Sequence, residues 1–145
     1  MRADYVKYNK LVGAVTKLVS LLKALPAEDP YRIRMTDALM QKLFHMALIN
    51  TTGSLATCDK ITASSFCRRR LPVVMVRLKM AETLREAVTF VEQGHVRVGP
   101  ETVTDPAFLV TRNYEDFITW VDSSKIRRTI QKYHDAVDDY DLLGN

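Results

Sequence analysis

Apolar side chains at alternating steps of three and four run through Tyr8, Leu11, Val15, Leu18, Leu22 and Leu25, one stripe along an amphipathic helix that Pro26 stops. After the PAEDP loop the spacing returns in Met35, Leu39, Leu43 and Met46, broadened by Met40, Phe44 and Ala47. So short a loop predicts an antiparallel helical pair. His45 falls inside the second pattern and reads as a packed or rim histidine. Asn50-Thr51-Thr52-Gly53 breaks that helix, and Ser54 is placed to cap a brief turn through Leu55 to Asp59. Thr62 opens the approach to the next segment, with Ser64 and Ser65 as local caps.

The segment from Phe66 to Val98 organises the rest. Pro72 suits the first turn of a helix, where its missing N–H costs nothing, so Val73 to Leu78 continue as a short buried helix. Thr83 and Glu86 have capping-box spacing, Leu84, Ala87, Val88 and Val91 repeat at helical steps, and Gly94 stands where a left-handed residue ends the helix. The period then drops to two in His95-Val96-Arg97-Val98, sending the valines inward and His95 and Arg97 outward. Beyond the Gly99-Pro100 turn, Thr102-Val103 and Phe108-Leu109-Val110 flank Asp105-Pro106, and Phe117-Ile118-Thr119-Trp120 reads as a last strand of a small twisted sheet. Asp122 or Ser123 is placed to cap a final helix bearing Lys125, Arg127, Arg128 and Lys132.

Charge sharpens this picture. The formal total of +4 hides an acidic end: Asp135, Asp138, Asp139 and Asp141 follow Lys132, so residues 1–132 carry +8. Seven cations (Arg68, Arg69, Arg70, Arg77, Lys79, Arg85, Arg97) face three acids between Phe66 and Val98. On one outer surface their guanidinium groups offer planar, permanently charged forks that match phosphate oxygens, and each neutralised phosphate releases counterions. Catalytic patterns are missing. There is no GxxxxGK[ST], GxGxxG, GxSxG or HExxH, and His45, His95 and His134 are far apart in sequence, so no enzyme is expected. Cys58 and Cys67 have no partner at metal-ligand spacing and read as reduced thiols; no cofactor or metal is expected. Lys17 and Lys23 interrupt the first apolar run and no stretch approaches eighteen apolar residues, so a soluble intracellular protein is expected, without membrane contact.

The stretch through VTDPAFLV and DFITW resembles the RNA-binding module of the ribosomal protein S4 family, also called the alpha-L motif. Within that family the phrases SSFCRRRLP, FVEQGHVRVGP, VTDPAFLVTR and WVDSSKI look most like the branch of nucleolar proteins of the U3 small nucleolar ribonucleoprotein. The resemblance implies an α+β fold: an N-terminal helical pair (residues 1–65) packed on an S4-like RNA-binding domain with a small β-sheet (66–120), then a C-terminal basic helix and acidic tail (121–145). Arg68, Arg69, Arg70, Arg77, Lys79, Thr83, Arg85, His95 and Arg97 are the expected RNA contacts. With the cations exposed, alanine at Arg69 and Arg70 should weaken RNA binding without unfolding the domain. The implied role is to help a small nucleolar RNA pair with pre-ribosomal RNA in the nucleolus, within the small-subunit processome. Implied partners are those RNAs, an acidic protein like M-phase phosphoprotein ten and other processome proteins, with no small-molecule substrate. A structural small-subunit ribosomal protein and an adaptor without RNA contact remain as alternatives.

Overall fold

The computed structural model describes residues 2–121. Two long helices come first, α1 (Arg2–Ala24) and α2 (Pro30–His45). The turn between them is held at both sides. The Asp29 carboxylate accepts from the N–H groups of Tyr31 (2.7 Å) and Arg32 (3.4 Å) at the start of α2, while the Arg32 guanidinium donates to the Leu25 carbonyl at 2.6 Å beyond α1. Tyr8, Val19 and Leu22 are the buried residues of α1, with Val12 and Val15 packed beside them. Leu11 is 48% exposed. The steps of three and four fit Tyr8-Val12-Val15-Val19-Leu22 as well as the stripe through Leu11, and packing on α2 and on residues 63–67 selects the former.

A 3₁₀ turn (Leu55–Lys60), capped by the Ser54 hydroxyl as its position predicts, leads into α3 (Ala63–Cys67), a helix where the sequence suggests only local caps. Thr62 donates its N–H to Ser65 Oγ at 3.1 Å, and Phe66 stacks on Tyr8 with ring centroids 5.2 Å apart. Phe66 therefore belongs to the core of the N-terminal helices. Cys58, in the same core, is a free thiol that donates to Met40 Sδ at 3.5 Å, and burial pushes its pKa up.

A second core forms between α4 (Leu71–Arg77), α5 (Leu84–Glu92) and one face of a sheet. Leu71, Val74, Met75, Ala87, Val91 and Val96 are fully buried there, each large aliphatic contributing roughly 1.5–3 kcal/mol. Leu84 instead faces solvent in the first turn of α5. Strands β1 (Val96–Val98), β2 (Glu101–Thr102) and β3 (Ile118–Trp120) are antiparallel in the order β2-β1-β3. Val98 opposes Glu101, so Gly99-Pro100 is a two-residue loop. Gly99 has φ +61°, and Pro100 cannot follow it into positive φ, which leaves a type II′ turn.

Phe108-Leu109-Val110 stays outside the sheet. Leu71 N–H donates to the Phe108 carbonyl and Val110 N–H to the Arg69 carbonyl, each at 2.8 Å, so the segment pairs with the entry to α4. Another 3₁₀ turn (Glu115–Phe117) precedes β3. Helices α2, α4 and α5 end alike, with a left-handed residue and a bond reaching back five positions. Gly94 serves α5, but Ala47 (φ 60°) and Lys79 (φ 63°) serve the others at a steric cost. The expected C-terminal helix with Lys125, Arg127, Arg128 and Lys132 lies outside the described residues.

Candidate nucleic-acid interface

The arginine triplet lies between the end of α3 and the start of α4, where successive residues turn in different directions. Arg68 stays exposed. Arg69 is 6% exposed: its Nε donates to the Val110 carbonyl at 3.1 Å and its terminal nitrogens to Glu115 Oε2 at 3.2 and 3.3 Å. Arg70 reaches back to α1, meeting Asp4 Oδ2 at 3.0 Å and the Tyr8 hydroxyl at 3.1 Å. This corrects the expectation that alanine at Arg69 and Arg70 would spare the fold. Both guanidinium groups have internal partners, so losing them breaks buried or half-buried ion pairs.

The remaining cations divide between surfaces. Arg77, in the last turn of α4, is half exposed and bonds the other oxygen of Glu115. Lys79 follows at the left-handed position, exposed. Thr83 caps α5, its hydroxyl accepting from Glu86 N–H at 3.2 Å, and Arg85 is exposed one turn away. Val96 and Val98 point into the core under α4 and α5, so Arg97 points to the opposite face with its cross-strand neighbours Thr102 and Thr119. His95 precedes β1 and its carbonyl accepts from Val121 N–H. Arg97 and the helix-borne cations thus do not share one rim, because strand alternation places it across the sheet from the helices.

What the fold does bring together is a polar hollow of about 290 Å³ lined by Arg68, Arg69, Arg77, Arg112, Glu115, Asn50 and Ser65. Neither Arg112 nor Glu115 stands out in the sequence. Arg112 donates to the carbonyls of Phe44 (3.0 Å) and Ile49 (2.9 Å), and its guanidinium stacks 4.1 Å from the Phe44 ring centre. Its backbone N–H also donates to the His45 carbonyl at 2.8 Å, so Arg112 closes the end of α2 and the loop after it and ties them to the second core. Its partners lie more than sixty residues earlier, so nothing in its neighbourhood marks it. Glu115 is the single carboxylate among four guanidinium groups, which leaves the hollow strongly positive.

Other regions offer less. A larger hollow of about 530 Å³ beside the α1–α2 turn is lined by charges of both signs, Lys23, Arg32 and Asp37, with apolar residues between. No cluster of three potential metal ligands occurs among the described residues, and no described helix is long and apolar enough to cross a membrane. At Asp4 the hydrogen bond from Arg70 holds the carboxyl below the ordinary range, against a smaller opposing effect of desolvation.

Comparison with known families accounts for both cores. Residues 1–68 match the ribosomal protein S4/S9 N-terminal domain and residues 69–116 match the S4 domain. The human U3 small nucleolar ribonucleoprotein protein IMP3 is 58% identical over 141 residues, covering 97% of this chain and 77% of that protein. Its Saccharomyces cerevisiae counterpart is 50% identical over 142 residues, with 97% and 78% covered. The small ribosomal subunit protein uS4 of Sulfurisphaera tokodaii is more distant, at 31% identity over 112 residues, 75% of this chain and 60% of that protein. With an S4-type α+β fold and half or more of the aligned residues identical to these U3 proteins, the chain belongs to the family of the U3 small nucleolar ribonucleoprotein protein IMP3.

Proposed function

We propose that the chain is a non-enzymatic RNA-binding component of the U3 small nucleolar ribonucleoprotein and the small-subunit processome, resident in the nucleolus of the nucleus. There it promotes pairing of the small nucleolar RNA with pre-ribosomal RNA in early 18S rRNA processing. The observation that carries this reading is the guanidinium cluster of Arg68, Arg77 and Arg112 on an S4-type module that also carries Lys79 and Arg85 exposed. A convex helical pair with basic edges suits folded RNA, whose A-form major groove hides its bases and whose backbone shape is what a protein meets.

We assign RNA contact to residues 66–120 and partner docking to residues 1–65. An apolar groove of about 270 Å³ between α1 and α2, walled by Leu11, Val15, Leu18, Leu39 and Met46 with Lys42 at its edge, suits an amphipathic acidic segment. An acidic protein like M-phase phosphoprotein ten fits that description. Crosslinking of the tagged chain in cells, followed by RNA sequencing, tests the reading. U3 RNA and pre-ribosomal spacer should dominate the reads, and the purified chain should speed annealing of matching RNA strands. Reads confined to mature small-subunit rRNA, with co-sedimentation on mature subunits, would replace it with a structural ribosomal role.

A further inference from the structure

We propose that the arginine hollow between the end of α2 and the start of α4 is a seat for a single phosphate group, with Glu115 as the resident counter-ion that gives up Arg77 when the phosphate arrives. The RNA-binding reading supplies the expected source of that phosphate, and the inference rests on it to that extent; the seat itself is argued from geometry.

Four guanidinium groups and one carboxylate line the hollow, a formal excess of +3. Arg112 does not cancel any of it, because its partners are neutral carbonyls and an aromatic ring. Arg68 makes no ion pair among the described residues. Arg69 and Arg77 share the one carboxylate, each taking a different oxygen. The hollow of about 290 Å³ far exceeds the roughly 10–15 Å³ that one water needs and is ample for a tetrahedral anion with an ester arm leading out. Asn50 and Ser65 add neutral hydrogen-bonding groups to the wall.

The two bonds to Glu115 are not equivalent. Arg69 is almost wholly buried and is fixed a second time by the Val110 carbonyl, whereas the Arg77 side chain is 50% exposed and leans on Glu115 alone. An arriving phosphate therefore recruits Arg77 and Arg68, whose planar forks match its oxygens, and leaves Arg69 with Glu115. In the empty protein the carboxylate keeps Arg77 near the seat and competes with any weak anion. Only a ligand carrying more charge than chloride overcomes it.

The test uses the full chain with ¹⁵N-labelled arginine. Inorganic phosphate is titrated at matched ionic strength against chloride while arginine Nε–H signals are followed. The signals of Arg68 and Arg77 should move saturably with phosphate and not with chloride. Arg68→Gln combined with Arg77→Gln should weaken phosphate binding about tenfold, while the charge-matched pair Lys17→Gln with Arg34→Gln, both exposed on the long helices, leaves it within about twofold. Glu115→Gln should tighten it severalfold, provided amide spectra show the fold retained. Equal response to chloride, or unchanged phosphate affinity in the folded Arg68/Arg77 variant, overturns the seat. Two further ligands identify the source. An RNA hairpin that displaces phosphate from these arginines assigns it to the RNA backbone. Displacement by inositol hexakisphosphate with no RNA binding keeps the seat and overturns the RNA reading. RNA bound equally by wild type and the Arg68/Arg77 variant, with no phosphate response, overturns the seat and keeps the RNA reading.

Discussion

Removing the Arg69 guanidinium leaves the Val110 carbonyl without its donor and Glu115 with one cation instead of two. Arg69→Ala should therefore cost about 2–4 kcal/mol in urea unfolding, whereas exposed Arg68→Ala should stay within about 0.5 kcal/mol and act on RNA affinity alone. Equal midpoints for the two variants would contradict the division between them. The Asp4–Arg70 contact has a definite pH signature. Because the folded carboxyl titrates below the unfolded value near 3.8, its contribution is full above that pH and disappears as pH falls through the lower folded value. The gap in melting temperature between wild type and Asp4→Asn should be constant near neutrality and close in acid; a gap unchanged down to pH 2 would rule the contact out as its source. Ala47, left-handed at the end of α2, pays for its Cβ, so Ala47→Gly should raise stability by about 0.5–1 kcal/mol.

At the scale of elements, the ends matter more than the middles. Thr83→Ala should cost about 1 kcal/mol through the lost cap of α5. Arg112→Gln removes the donors to the Phe44 and Ile49 carbonyls and should cost roughly 2 kcal/mol, with hydrogen exchange rising first at the amides of Met46 to Leu48. Uniform exchange along α2 would place the loss elsewhere. These cases also mark what the amino-acid order can reveal. Pro72, Thr83, Gly94 and the Val96–Val98 alternation act within a few residues, so each is legible in the sequence itself. Burial of Arg69, the pairing of Phe108 to Val110 with the entry to α4, and the role of Arg112 depend on partners about forty or more residues away. Leu11 and Val12 fit the same helical spacing, and only the neighbouring helices decide which turns inward.

For the molecule as a whole, the family phrases point to RNA, while the shape of the charged surface comes from the fold. Four of the candidate cations, Arg68, Arg77, Lys79 and Arg85, are exposed on the helical side, so log affinity should fall with log salt at a slope of about −3. Swapping base pairs within a helical target should change affinity only a few-fold, and opening its junction should weaken it strongly. A shallow slope with strong base dependence would point to stacking on an exposed aromatic such as Phe117. The bonds that join the two cores also impose an order in time. Ile49 waits for Arg112, 63 residues later in the chain, and Asp4 waits for Arg70, 66 residues later. At roughly 5–20 residues per second, a translating ribosome needs about 3–13 s to supply each missing donor. The nascent N-terminal helices emerge with the Ile49 carbonyl and the Asp4 carboxylate still without these donors, and the arginine hollow does not exist until Glu115 has cleared the exit tunnel. Any anion capture through the hollow therefore waits for Glu115, the last of its lining residues along the chain.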